Sequence, residues 1–110
     1  MGPRVTRTDW ARILSLYSAL ERMTDNPVVR LNRAVAVAVV EGPNAALALL
    51  DELAASGVLE RSHRLHAVRA HVLEMRGDTE AAHTEYVAAA NAADNQRERD
   101  YLMIRAAALA

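Results

Sequence analysis

Cysteine is absent from the 110 residues, so disulfides and thiolate metal sites are excluded and the redox compartment is left open. Phenylalanine is absent too, and aromatics make up only 4% of a chain that is 52% hydrophobic. A core of this composition has to be filled by alanine, leucine and valine, and such small side chains let helices approach closely. With four glycines there is no glycine-rich loop of the kind that cradles phosphates, and no serine lies in a G-x-S-x-G context. Long apolar runs are missing as well. The longest, Ala34 to Val40, is far shorter than the roughly 20 residues a membrane-spanning helix requires, and Met1-Gly2-Pro3 leads into no hydrophobic segment. The expectation is a cytoplasmic protein with no membrane association. A formal net charge of −1 argues against the continuous positive surface of an autonomous nucleic-acid-binding domain.

What is present reads as one domain, since 110 residues suffice for a single core and not for two. Residues 1–7 read as a linker or cloning-derived lead-in and 8–110 as the domain, itself a piece of something longer. The chain is organised around Asn26 to Gly57. Asn26 caps, Pro27 occupies a first helical position, and Gly42-Pro43 closes one helix and opens the next. The first of these helices is apolar nearly all round, so it must be covered on several sides. Its valines would suit a strand, but about fifteen residues between Pro27 and Gly42 is helix length.

The remaining segments alternate helix and turn. A helix from Asp9, capped by Thr8, to Met23 carries the stripe Trp10, Ile13, Leu14, Tyr17 and Leu20. Pro43 to Ala55 follows the pillar helix. Glu60 to Arg76 comes next, with Leu65, Val68, Val72 and Met75 inward and Gly77 as its stop. Asp78 caps a fifth helix bearing Ala82, Tyr86 and Ala89. Asn95 and Glu98, spaced like a capping box, open a sixth with Tyr101, Leu102, Met103, Ile104 and Leu109.

A shift of 36 residues superposes Ala34 on Ala70, Ala46 on Ala82, Leu50 on Tyr86 and Leu53 on Ala89. Each copy is one helical hairpin, and the spacing resembles the tetratricopeptide repeat (TPR), whose period is roughly 34 residues. The fold expected is therefore all-α, with TPR-like antiparallel hairpins and about six helices in a right-handed stack. The first and last helices would cap it.

Larger stretches carry a further resemblance. Thr8-Asp9-Trp10, Pro27-Val28-Val29 and the run from Leu31 to Ala38 (LNRAVAVA), within a similarity extending from Thr8 to the C-terminus, resemble the C-terminal extension of a group of actinobacterial extracytoplasmic-function (ECF) sigma factors of RNA polymerase. Nothing in the chain resembles the sigma regions that bind polymerase and read the −10 and −35 elements. The resemblance implies a regulatory tail acting in transcription initiation, with the sigma core domains or the polymerase as protein partners and no direct DNA binding by this segment.

No catalytic centre, metal site or cofactor is expected. His63, His66, His71 and Glu74 could be imagined as metal ligands, but the 66-to-71 spacing is poor for a shared ion and no HExxH occurs. By the repeat register, Arg64, Ala67, His71, Glu74 and Met75 would face the concave side as the candidate protein-interaction face. Their counterparts Val28, Leu31, Val35, Ala38 and Val39 would be covered by the first helix. Asn32 and Arg33, which interrupt the pillar's apolar surface, read as a buried polar network. Trp10 and Tyr17 read as core. The alternative to the sigma-factor reading is a free-standing adaptor that binds a peptide or forms a homodimer through its apolar ends.

Overall fold

A computed structural model describes residues 6–59 and 62–109. The chain forms α1 (Arg7–Met23), α2 (Pro27–Glu41), α3 (Pro43–Ala55), α4 (His63–Arg76), α5 (Thr79–Ala92) and α6 (Gln96–Ala108), with no strand among the described residues. None of these helices is long and apolar enough to cross a membrane.

Each boundary has a local cause. At the start of α2 the Asn26 side-chain oxygen accepts the Val28 N–H at 2.9 Å, Pro27 follows, and Gly42 ends the helix at φ 102°. Valine costs only tenths of a kcal/mol of helix propensity. Burial of Leu31, Ala34, Ala36, Val37 and Ala38 outweighs that, so the valine-rich segment is helical. At the end of α4, Gly77 takes the left-handed conformation (φ 89°, ψ 7°) in which a side chain would be strained. The Gly77 and Asp78 N–H groups return there to the Glu74 and Leu73 carbonyls, each at 3.0 Å.

Three expected caps are corrected. Helix α1 is capped by Thr6, not Thr8, because only Thr6 has an acid three residues on. Its hydroxyl accepts the Asp9 N–H at 3.1 Å, while the Asp9 carboxylate accepts the Thr6 N–H at 3.1 Å, closing a reciprocal box. Part of the expected lead-in therefore belongs to the domain; residues 1–5 lie outside the described residues. Asp78 stands at the N-cap of α5 but makes no cap bond, since its carboxylate is taken by the charge-assisted donors of Arg76. At α6, Asn95 accepts the Glu98 N–H at 2.8 Å, yet Glu98 does not complete the box because its carboxylate turns to His63. Helix α4 begins at His63, capped by the Ser62 hydroxyl, which accepts the Arg64 N–H at 3.2 Å. The expected start at Glu60 and Arg61 lies outside the described residues.

The hairpins α2–α3 and α4–α5 stack through α3 and α2 against α4; α1 lies on α2 and α6 on α5. All eight positions paired by the 36-residue shift are buried: Ala34, Ala46, Leu50 and Leu53 in one copy, Ala70, Ala82, Tyr86 and Ala89 in the other. Ten of the nineteen buried apolar residues are alanine, which is how helices with so few large side chains still meet closely. One core cluster lies among α2, α3 and α4 and the other among α4, α5 and α6, with Leu47 packed against both. Met75, expected inward, is exposed; Ala70 and Leu73, beside Val72, take the buried places on α4.

Candidate protein-interaction groove

Helices α2 and α4 open the two hairpins, α6 follows α5 in the equivalent place, and together the three line a groove of about 310 Å³. Each contributes residues one helical turn apart, which share a face. From α2 come Val28, Leu31 and Asn32; from α4, His63, Arg64, Ala67 and Val68; from α6, Glu98, Tyr101 and Leu102. These are the same positions of one repeat. Val28, Leu31 and Asn32 stand 36 residues before Arg64, Ala67 and Val68, which stand 34 residues before Glu98, Tyr101 and Leu102.

The walls are mostly apolar, with polar groups at the margin. His63 Nε2 lies 2.8 Å from Glu98 Oε2, a hydrogen bond from α4 to α6 in which the imidazole N–H donates. Arg64 and Asn32 are exposed, and neither side chain has a hydrogen-bond or ion-pair partner among the described residues. The groove thus offers apolar surface beside an unneutralised guanidinium and a free amide. Both can donate to a carboxylate or to peptide carbonyls.

Of the five residues expected on this face, the structure brings Arg64 and Ala67 into the groove and leaves the others out of its lining. His71 and Met75 are exposed. Glu74 lies further along α4, beyond the groove lining, where its Oε1 accepts the Tyr86 hydroxyl at 2.8 Å and Arg105 of α6 at 2.5 Å. Arg105 also lies over the Tyr86 ring, 5.6 Å from its centre. Burial pushes the Tyr86 phenol above its ordinary range, the Arg105 hydrogen bond pulls it down, and Glu74 adds to the rise.

The expected network of Asn32 and Arg33 holds for Arg33, which is half-buried and paired with a neighbouring helix, and not for Asn32, which is exposed. Consecutive helical residues point about 100° apart, so Asn32 faces the groove while Arg33 faces α1. There Arg33 Nε donates to Ser18 Oγ at 3.2 Å and its Nη1 lies 3.5 Å from Glu21. Helix α1 accordingly sits on the Arg33 side of α2 and leaves Val28 and Leu31 to line the groove, contrary to the expected covering of both. Trp10 and Tyr17 are half-buried.

The histidines weighed as ligands engage different acids. His63 meets Glu98, whereas His66 Nδ1 lies 2.7 Å from Glu85 on α5. Among the described residues, no three His, Cys, Asp or Glu side chains are placed to hold a metal ion. The groove residues that the sequence reading missed are those of α6. The 34-residue interval to Glu98, Tyr101 and Leu102 was the signal that could have found them.

Fold and groove together describe an all-α, TPR-like helical-hairpin domain. No protein-family model matches the chain, and no solved structure matches it. It is 40% identical over 102 residues to an uncharacterized protein of Rhizobium meliloti (strain 1021), an alignment covering 93% of this chain and 24% of that protein. The chain therefore spans about a quarter of that relative's length.

Proposed function

We propose that this chain is a non-catalytic, cytoplasmic protein-interaction module, the regulatory C-terminal extension of an ECF RNA polymerase sigma factor acting in transcription initiation. The observation that carries the interaction role is the groove, built from the same repeat positions of α2, α4 and α6 and carrying Arg64 and Asn32 without side-chain partners among the described residues. The resemblance of the segments around Trp10, Pro27 and Asn32 supports the sigma-factor assignment. The match of the chain to only part of a longer relative accords with a module within a larger protein. In this reading the groove takes a segment of the sigma core domains or of the polymerase, an apolar side chain entering between α2, α4 and α6 and an acidic neighbour meeting Arg64.

The test uses a full-length sigma factor carrying this domain and a reporter at its target promoter. Deleting the domain shifts promoter output. Ala67→Arg, at a half-buried groove position packed against the second core cluster, shifts it in the same direction, with helix content and melting temperature checked to show that the variant stays folded. Unchanged output on deletion overturns the sigma-factor role, and a changed output on deletion with none for Ala67→Arg overturns the groove as the contact.

A further inference from the structure

The groove is deepest over one small residue. Helix α4 is the middle of the three lining helices, touching α2 directly and tied to α6 by the His63–Glu98 and Glu74–Arg105 pairs. At one register position the three helices carry Leu31, Ala67 and Tyr101. The flanking side chains are large, so the alanine between them opens the hollow that they wall. Its volume of about 310 Å³ is about twice the roughly 150 Å³ of an apolar cavity that holds benzene. A leucine side chain entering it would leave much of the lining without contacts, whereas an indole with its methylene comes closer to filling it. A ring there also meets Tyr101, which is 60% exposed, and aromatic pairs gain beyond the area they bury.

The charge beside the hollow has a sign and a place. One turn earlier in the same register the three helices carry Val28, Arg64 and Glu98: apolar, positive and negative. The Glu98 carboxylate accepts the His63 N–H, while the Arg64 side chain has no partner among the described residues. A carboxylate entering with the ring is therefore drawn to α4 and repelled from α6. Arg64 stands about one turn, roughly 5 Å, from Ala67, a length that about two residues of extended chain cover.

We propose that the groove selects an extended segment in which a large aromatic side chain, tryptophan best, stands within about two residues of an aspartate or glutamate. Ala67 sets the size of the anchor and Arg64 the sign of its neighbour. The guanidinium also adds a cation beside the ring that an aliphatic anchor could not use. This rests on the reading of the groove as a protein contact and adds which side chains it takes.

The experiment titrates the 110-residue chain, by calorimetry, with four synthetic peptides that differ only in an anchor, tryptophan or leucine, and a neighbour, aspartate or lysine. The tryptophan and aspartate peptide binds tightest. Replacing either residue weakens binding at least about tenfold. Arg64→Gln brings the aspartate and lysine peptides to similar affinity. Ala67→Leu weakens the tryptophan peptides more than the leucine ones, with melting temperature checked because Ala67 packs against the second core cluster. Tyr101→Ser, at an exposed position, narrows the advantage of tryptophan without that risk. Equal binding of tryptophan and leucine peptides overturns the anchor, and equal binding of aspartate and lysine peptides overturns the role of Arg64. No binding of any of the four up to about 1 mM overturns both. The groove as the contact is decided separately, by the response of promoter output to Ala67→Arg.

Discussion

Tyr86 is the one aromatic residue in the core, and its hydroxyl is placed where a neutral phenol is favoured. It donates to Glu74, and Arg105 spans both groups from α6, so one polar cluster ties α4, α5 and α6 together. With its pKa raised in the folded state, the phenol contributes stability that is complete below the unfolded value of about 10 and is lost as pH rises through the folded value. Urea midpoints should therefore hold through neutral pH and fall above about pH 10, and Tyr86→Phe should abolish much of that alkaline fall. At pH 7 the same substitution should cost about 1 kcal/mol, the worth of a hydrogen bond to a charged acceptor less the relief of burying a hydroxyl. An alkaline fall of equal size in Tyr86→Phe would contradict the assignment. The partners of Tyr86 were invisible in the sequence. Its repeat register with Leu50 was legible, but Glu74 and Arg105 lie 12 and 19 residues away and meet it only when three helices pack.

At the scale of the element, α1 is the helix most dependent on its own ends. None of its side chains that the structure describes is fully buried, and α2 is its principal neighbour. Its capping box is therefore a larger share of its stability than caps are elsewhere. The Asp9 carboxylate is held below its ordinary range by the backbone N–H of Thr6 first and the Thr6 hydroxyl second. A depressed carboxylate contributes stability that is present above its unfolded pKa and lost as pH falls through the folded value, so α1 should loosen on acidification before α4 or α5. Thr6→Ala should cost about 1 kcal/mol, read as faster amide hydrogen exchange across α1 with α4 and α5 unchanged. Equal loss of protection in all helices would show that α1 does not open on its own. The competition between Thr6 and Thr8 illustrates the limit of cap reading. Both are good N-caps, and the acid three residues on decides between them.

At the scale of the molecule, two alanine-rich clusters share α4 and Leu47, which couples them. Circular dichroism and thermal denaturation should therefore show one transition rather than two. Leu50, fully buried at the centre of the first cluster, is the most sensitive probe of that coupling. Leu50→Ala should destabilise the whole molecule by about 2 to 5 kcal/mol while keeping a single transition. A variant whose α5 and α6 stay folded after α2 and α3 have melted would show that the stack behaves as separate repeats.

Composition and pattern alone determined the helical class, the boundaries of α2 and α3, and the repeat. These depend on neighbours within a few residues or on a period along the chain: a proline after an asparagine, a glycine before a proline, alanines 36 apart. The sequence also indicated two members of the groove, Arg64 and Ala67, because the register places them on the first helix of a hairpin. Only the tertiary structure decided that α6 completes the groove beside α2 and α4, that Asn32 faces it while Arg33 clasps α1, and that Glu74 is taken up by Tyr86 and Arg105. Helical periodicity says which residues share a face, whereas packing decides what that face meets, and an exposed stripe and a buried one can be written in the same letters.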